Sequence, residues 1–369
     1  MSPILCRRQF ILASGSLAAL FASNRAGLAQ LLKGNAVPVV DSLSVKVLTD
    51  SSYDTPQLPK SKWVKVKRAG TRSPADFRKT LHNEWGLALA LESRKGSDTL
   101  NLLLDFGYTT GALTNNMEIL GVDSSKVQGL ILSHGHFDHY GGLVGYLQKN
   151  RDKLPADLTL YAGGEDNFCE TKIVGAAPGQ FAEGGVLDRR ELAKLKVKIV
   201  LCDESTIIGG HAFTTGAIQR RSFERVLPNS LVDYAMKDGL GCNIPAAAAG
   251  AQGKPVQNEH LNEHATCFNL KDRGLVVISS CGHAGIINSV RQAVEVSGVN
   301  KVHAILGGFH LFPADEDYLR RAAAELKTLN ADVVIPFHCS GPGLIAVLRE
   351  QMPDRLVTST TGTEFTFGT

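Results

Sequence analysis

Three histidines and one aspartate that could bind metal lie within six residues of the chain: His134, His136, Asp138 and His139. Imidazole nitrogens and carboxylate oxygens are the ligands that zinc and neighbouring divalent transition metals take in proteins. On an extended chain His134 and His136 point to the same side. After a turn at Phe137, the other two residues can face a second position beside the first. A polar strand–loop junction with surface histidines is the alternative, but the complete H-x-H-x-D-H spacing favours a metal site.

Three further histidines each follow a predicted apolar strand in the last third of the chain. The strands and their histidines are 275–279 with His283, 302–306 with His310, and 333–337 with His338. Metal ligands are expected on the strand-to-helix loops at one end of such sheets. Three successive strands that each lead to a histidine therefore extend the predicted site.

The segments that must position these residues alternate between strands and helices. The first motif follows residues 127–132, an apolar stretch typical of a buried strand. Helices are predicted over 115–120, 140–149, 284–296 and 316–329, and further strands over 44–49, 87–92, 99–105, 158–162 and 196–203. This alternation predicts an α/β layered domain.

Three stretches between these elements are predicted to be loops or insertions. Residues 51–78, with several prolines and basic residues, are expected to form an exposed loop or insertion. Residues 163–195 are expected to form a glycine-bearing excursion beside the site. Residues 226–262 are either a lid or a flexible insertion, and both interpretations stay open.

The composition is that of an ordinary globular protein. The chain has 369 residues, of which 43% are hydrophobic and 20% charged, which allows a sizeable core. No Pro/Ser-rich linker or internal repeat divides it, so residues 30–369 are predicted to form one domain with insertions. The net charge of +3 arises from three arginines in the first 29 residues, which contain no acid. The near-neutral remainder favours a small-molecule substrate over nucleic acid or an anionic membrane.

The N-terminus has the pattern of a twin-arginine (Tat) signal peptide. Arg7 and Arg8 precede a mildly apolar stretch over residues 13–22, and small residues follow up to Ala29. We therefore predict a signal peptide over 1–29, export by the Tat machinery as a folded protein, a periplasmic location, and no membrane anchor after cleavage. An uncleaved amphipathic N-terminus is the alternative.

Seven cysteines are present, one of them in the predicted signal peptide. An oxidising periplasm permits disulfides, although a chain of this length does not need them. Cys169, Cys202, Cys242 and Cys267 are predicted to be core thiols or to form an occasional bridge, because their spacing does not determine a pairing.

The H-x-H-x-D-H motif is also the signature of the metallo-β-lactamase superfamily, which this chain resembles over roughly residues 44–345. The surrounding segments resemble its ribofuranosylaminobenzene-phosphate synthase-like (dihydropteroate-synthase-like) branch. The matching segments are 83–87 (NEWGL), 104–107 (LDFG), 215–220 (TGAIQR), 280–286 (SCGHAGI), 307–311 (GGFHL) and 336–341 (PFHCSG). The resemblance implies a four-layer αββα sandwich that holds one or two metals on loops at one edge of the sheets.

The resemblance also implies roles for the later histidines. His338 matches the last metal-ligand position of the superfamily. His283 or Cys281 takes a position that is usually a bridging Asp or a Cys, and His283 is favoured because Cys281 could equally be a small packed residue. His310 matches a place where relatives bring a histidine to the substrate or leaving group, which implies proton transfer or substrate binding.

The third ligand of the first metal has no clear match. His211 is a weak candidate, and His264 could approach the site from a segment where the branch often has Asp-Glu-Gln but this chain has Asn-Glu-His. One metal and two metals both remain open. Zinc is favoured, with iron or manganese as alternatives.

The predicted chemistry is hydrolysis by metal-activated water. Bound zinc lowers the pKa of water to roughly 7, and Asp138 can hold the second metal and accept a proton from that water. Arg220, near Thr215 and Gly216, could bind an anionic group, and Asp105 and Asp50 could orient histidines by accepting their other N–H.

The prediction is a metal-dependent hydrolase that acts on a small ester, lactone, phosphoester or amide. The alternatives are a pterin-related transferase like the namesake of the branch, or a metal-retaining ligand-binding pseudoenzyme. Asp138 favours catalysis, because a merely structural metal would not require it.

Overall fold

The computed structural model describes residues 36–53, 59–70, 73, 75–175, 179–227, 230–234, 242–244 and 255–368, together with the backbone of Gln30–Leu31. The predicted signal peptide and residues 228–229, 235–241 and 245–254 of the candidate lid lie outside the described residues. Within the described ranges, no helix is long and apolar enough to span a membrane.

The described residues form short strands and helices that follow each other along the chain. The strands are β1 (Gln30–Leu31), β2 (Val39–Val40), β3 (Ser42–Thr49), β4 (Lys65–Arg68), β5 (Ala88–Lys95), β6 (Asp98–Leu104), β7 (Gly129–Leu132), β8 (Thr159–Ala162), β9 (Glu170–Val174), β10 (Phe181–Gly185), β11 (Lys198–Leu201), β12 (Thr206–Ile208), β13 (Ala212–Thr214), β14 (Ser230–Asp233), β15 (Val256–Gln257), β16 (Thr266–Leu270), β17 (Gly274–Ser279), β18 (Val302–Gly307), β19 (Val333–Pro336) and β20 (Thr363–Gly368). The α-helices are α1 (Thr110–Ile119), α2 (Phe137–Tyr140), α3 (Leu143–Asn150), α4 (Arg189–Lys194), α5 (Ile286–Ser297), α6 (Glu316–Thr328) and α7 (Gly341–Gln351).

Two large sheets dominate the fold. The first has the strand order β11-β8-β7-β6-β5-β3-β20-β4, and the second has the order β1-β12-β13-β16-β17-β18-β19 with β2 beside β16. Strands β6, β7, β8 and β11 are parallel, as are β17, β18 and β19. The strands β10-β9-β14-β15 form a smaller, separate sheet.

Alternation along the strands of the two large sheets divides their apolar side chains among three cores. The core between the two large sheets includes Val45, Leu89, Leu104, Phe268 and Ile335. The core between the first sheet and its helices includes Leu103, Leu113, Leu147 and Leu192, and the core between the second sheet and its helices includes Val277, Ile287, Leu326 and Leu348. The predicted αββα sandwich is therefore confirmed.

The elements around the site differ in detail from the predictions. Helix α1 begins at Thr110, five residues earlier than expected, because the Thr109 side chain accepts the Ala112 N–H at 3.2 Å and caps it. The predicted helix after the motif is split, since α2 starts inside the motif and Gly142 precedes α3. A Cβ on Gly142 would collide with the carbonyl oxygen of Phe106, so this close approach of two loops requires glycine.

The predicted loops contain more regular structure than expected. Residues 51–78 include the edge strand β4, and residues 163–195 include β9, β10 and α4. Cys169 and Cys242 form a disulfide, whereas Cys202 and Cys267 are buried free thiols. Of the four cysteines, two thus form a bridge and two are core thiols, the two roles that the sequence left open.

Candidate metal centre

The motif histidines cluster at the carboxyl end of β7. The ring of His134 lies 4.8 Å from that of His136 and 4.2 Å from that of His139, measured between centroids. All three side chains are buried. Asp105, at the end of β6, accepts hydrogen bonds from Nδ1 of His139 at 2.7 Å and from the Ser133 hydroxyl at 2.7 Å. The residue at the end of β6 therefore holds the motif that follows the neighbouring strand β7.

The histidines that follow β17, β18 and β19 join this cluster. His283 lies 4.9 Å from His134, His310 lies 4.1 Å from His283, and His338 lies 5.0 Å from His139 between ring centroids. The predicted convergence of strand ends thus brings together residues about two hundred positions apart in the sequence.

Asp138 is the carboxylate of the motif, and it faces two cluster histidines. Its Oδ2 lies 3.6 Å from Nε2 of His139 and 3.5 Å from Nε2 of His338. The other predicted ligands are almost fully buried, whereas the Asp138 side chain is 15% exposed.

Among the residues that the structure describes, four groups of side chains have ligand atoms within 4.8 Å of one another, a spacing that could hold a metal ion. The groups are His134, Cys281 and His283; His136, His260 and His283; His139, Cys281 and His338; and Cys281, His310 and Cys339. Cys281 belongs to three of the four, and its Sγ lies 3.1 Å from that of Cys339. This thiol therefore lies among the histidines rather than in the apolar core.

The described side chains of the cluster fit a metal, because many of their ring nitrogens lack a hydrogen-bond partner. Among the described residues, eight buried ring nitrogens of the cluster have no hydrogen-bond partner; they belong to His134, His139, His260, His283, His310 and His338. A buried polar atom without a partner is costly, and metal coordination would satisfy these nitrogens. Imidazole, thiol and carboxylate ligands together suit a divalent transition metal.

On one side of the cluster the pKa values of the histidines are lowered, which favours neutral imidazole rings. Burial lowers the pKa of His136 to about 4, and burial together with neighbouring histidines lowers the pKa values of His134, His260 and His283 well below the usual range. A neutral imidazole has the free lone pair that metal coordination requires.

The other side of the cluster carries negative charge. Burial alone would lower the pKa of His139, but the charges of Asp138 and Asp105 outweigh it and raise that pKa. For His338, burial is likewise outweighed by Cys339, Asp138 and Asp50, and the pKa rises to about 9. This side therefore favours positive charge.

His260 is a member of the cluster that sequence reasoning missed. Its ring stacks on His283 at 3.8 Å with an interplanar angle of 5°, and lies 4.7 Å from His136. It follows β15, a two-residue strand of the smaller sheet that the sequence did not predict as an apolar strand, so the strand-end rule that identified the other histidines did not find it. Together with His136 and His283 it forms one of the groups that could hold a metal ion.

Unusual backbone conformations concentrate at the site. Asp105, His260, His310 and His338 have φ angles of 58°, 46°, 46° and 52°, which non-glycine residues rarely adopt. Such conformations persist where the surrounding structure holds them, often at functional sites. The loops that carry these side chains are therefore held by their packing.

Two further carboxylates support the loops. Asp50 accepts the backbone N–H of His338 at 2.9 Å, whereas the sequence suggested that it would accept a ring N–H. Glu263 accepts the N–H groups of Gly282 and Ala284 at 2.8 and 2.6 Å, on either side of His283. Both acids therefore position a cluster histidine through backbone hydrogen bonds, Asp50 to His338 itself and Glu263 to the neighbours of His283.

Three further residues that the sequence suggested for the site belong to none of the four possible metal-binding groups. His211 lies near the start of β6, at the opposite end from the motif, between Ser93 and Asp98. His264 donates through Nε2 to the Leu132 carbonyl at 2.9 Å, so it supports β7. Arg220 pairs with Glu259 at 2.9 Å, beside His260, and its predicted role toward an anionic substrate stays a prediction.

The comparisons with known proteins agree with this geometry. A family model described as the metallo-β-lactamase superfamily matches residues 94–161, which contain the motif. A solved structure described as a metal-dependent hydrolase of the β-lactamase superfamily superimposes with a TM-score of 0.61 at 18% identity, covering 87% of this chain and 98% of that one. The chain therefore has the metallo-β-lactamase fold.

Two proteins of Methanocaldococcus jannaschii are similar in sequence. The 7,8-dihydropterin-6-methyl-4-(β-D-ribofuranosyl)-aminobenzene-5′-phosphate synthase is 26% identical over 273 residues, covering 72% of this chain and 84% of the synthase. An uncharacterised protein is 24% identical over 242 residues, covering 65% and 79%. The resemblance to the synthase-like branch of the superfamily is confirmed.

We predict that His260→Ala weakens metal binding by about a hundredfold or more, because each ligand contributes a large share of the binding free energy. Competition with a chelator of known affinity measures the change. His211→Ala is the matched control, since it also removes a buried histidine, but at the other end of β6. Equal metal affinity and stoichiometry in wild type and His260→Ala would show that His260 is not a ligand.

Proposed function

We propose that the protein is a metal-dependent hydrolase that acts on a small ester, lactone, phosphoester or amide. The observation that carries the proposal is the position of Asp138, whose side chain is 15% exposed while every cluster histidine is 6% exposed or less. A structural zinc site is closed by four protein ligands. A partly exposed carboxylate within a larger donor set instead supports an open site that substrate and water reach.

Each residue has a role in this proposal. The cluster histidines, Asp138 and Cys281 would hold one or two ions, with zinc favoured and iron or manganese as alternatives. A bound divalent metal supplies Lewis acidity and a water that ionises near neutral pH. Asp138 would accept the proton of the attacking water, and His310 would bind the substrate or protonate the leaving group.

A pterin-related transferase is the second candidate, and the similarity to the M. jannaschii synthase favours it. The predicted export signal favours hydrolysis, because a pterin pathway would operate in the cytosol.

The test is a substrate screen with metal-loaded protein against panels of esters, lactones, phosphodiesters, amides and β-lactams. Turnover that a chelator removes and added metal restores supports the hydrolase. Absence of turnover on every panel, with product formed from a dihydropterin and a ribofuranosylaminobenzene phosphate, would support the transferase instead.

We further propose that the Tat machinery exports the folded protein to the periplasm, where it stays unanchored. The Cys169–Cys242 disulfide supports this proposal, because disulfides persist in oxidising compartments. Arg7→Lys with Arg8→Lys keeps the charge but removes the guanidinium pair. We expect the double variant to stay uncleaved in the cytoplasm, and the wild type to yield a periplasmic form that begins near Gln30. Cell fractionation with N-terminal sequencing measures both, and a full-length cytoplasmic wild type would overturn the proposal.

A further inference from the structure

Two large aromatic side chains at the edge of the metal centre are exposed to solvent. Trp85 is 49% exposed and Phe312 is 54% exposed. The two rings contact each other edge to face, with centroids 5.5 Å apart, and we call them the aromatic pair. Trp85 also lies 5.4 Å from the His338 ring, and Phe312 lies 6.0 Å from the His310 ring. Contiguous apolar surface beside a cluster of polar groups is a common feature of ligand-binding sites.

The backbone around Trp85 is attached directly to the metal motif. The N–H of Leu87 donates to the carbonyl of Asp138 at 3.1 Å, and the carbonyl of Leu87 accepts the Gly107 N–H at 2.8 Å. A Cβ on Gly86 would lie 2.8 Å from the carbonyl oxygen of Asp138, so only glycine permits this approach. The position of Trp85 is therefore tied to that of Asp138.

Phe312 is attached in a similar way to the loop of the last ligand. Its N–H donates to the carbonyl of Cys339 at 3.2 Å. Gly341 has a φ of 80°, and a Cβ there would lie 2.7 Å from Cα and Cβ of Phe312. Both members of the aromatic pair are thus held close to the histidines whose rings they contact.

We propose that the aromatic pair is a substrate subsite for a planar aromatic or heteroaromatic ring joined directly to the bond that is cleaved; this proposal rests on the proposed hydrolase function. The edge-to-face arrangement presents the face of one ring and the edge of the other to a ligand. Aromatic contacts stabilise binding beyond the contribution of the apolar area that is buried. A saturated ring of equal size would bury similar area without that addition. Because the pair lies 5.4 Å from the His338 ring and 6.0 Å from the His310 ring, a substrate ring bound there would be attached close to the reacting bond.

Ligand binding can test the subsite independently of any catalytic turnover. The chain has two tryptophans, and Trp63 lies elsewhere, 6.5 Å from the His303 ring. In a Trp63→Phe background, Trp85 is the sole tryptophan and reports on ligands by its fluorescence. We expect benzoate to change this fluorescence saturably and to bind metal-loaded protein about tenfold more tightly than cyclohexanecarboxylate, as two aromatic contacts predict. Equal affinity for the two acids would overturn the subsite.

Turnover of benzoyl and cyclohexanecarbonyl esters of the same alcohol tests whether the subsite binds the substrate during catalysis. We expect Trp85→Leu to raise KM for the benzoyl ester about fivefold, as loss of one ring contact predicts, and to leave the saturated ester nearly unchanged. Trp85→Phe, which keeps a ring, should retain the preference. Phe77→Leu is the matched control, because Phe77 is a 75% exposed aromatic beside Arg78.

The two proposals fail separately. Selective benzoate binding with no ester, lactone, phosphoester or amide turnover would overturn the hydrolase and leave the aromatic pair as a site that binds an aromatic ring. Metal-dependent turnover with no preference for the aromatic ester, or an equal effect of Trp85→Leu on both esters, would overturn the subsite and leave the hydrolase standing.

Discussion

Replacement of Asp138 by alanine is expected to lower kcat by at least about a hundredfold, the usual loss when a general base is removed. The thermal unfolding temperature of the protein should change little, because this side chain lies outside the three apolar cores. Its carboxylate instead faces His139 and His338 at 3.6 and 3.5 Å. Steady-state kinetics on the substrate found by screening, with calorimetry of the same samples, measures both quantities.

Two companion variants sharpen this test. Asp138→Asn keeps the volume and removes the charge, so it should lose nearly as much activity as Asp138→Ala. Asp152→Ala removes an exposed carboxylate after α3 and should leave kcat unchanged. Wild-type turnover in Asp138→Ala would show that the hydrolytic role assigned to Asp138 is wrong.

The second large effect is expected for Asp105→Ala, and it concerns both stability and metal binding. The Asp105 carboxylate is fully buried and accepts hydrogen bonds from the His139 ring, the Ser133 N–H and the Ser133 hydroxyl. Its removal leaves buried donors without an acceptor, at a cost of about 3 kcal/mol in the free energy of unfolding. It also frees the His139 ring, which should weaken metal binding by about 10- to 100-fold.

Denaturant unfolding and chelator competition measure the two effects of Asp105→Ala. Asp105→Asn keeps a residue that tolerates the φ of 58° and isolates the loss of the carboxylate from backbone strain. Asp332→Ala is the matched control, because Asp332 also accepts from a histidine, His303, at 2.8 Å, but outside the cluster. Unchanged metal affinity in Asp105→Ala would contradict the orienting role of Asp105.

Much of the site could be predicted because its signals are local in the chain. His134, His136, Asp138 and His139 are near neighbours, so their spacing alone indicates a metal site. His283, His310 and His338 were predictable because each follows an apolar run, and the carboxyl ends of parallel strands meet at one edge of a sheet. The four-layer fold followed from the same alternation of apolar strands and helices, together with the superfamily resemblance.

The element boundaries were less accessible to prediction. The start of α1 depends on one side-chain hydrogen bond from Thr109, and the break between α2 and α3 depends on the approach of the Phe106 backbone to Gly142. Periodicity detects the apolar face of a helix, but it does not detect a cap or a neighbouring loop.

The sequence by itself determined the metal motif, the strands that carry the later histidines and the layered fold, because each depends on residues close together in the chain. Only the tertiary structure decided that His260 joins the cluster, that Cys281 lies among the histidines, that Asp50 binds the His338 backbone, and that Trp85 and Phe312 meet at its edge. These contacts join segments up to 288 residues apart. Their formation depends on how the sheets and loops pack, and no periodic pattern in the sequence encodes that packing.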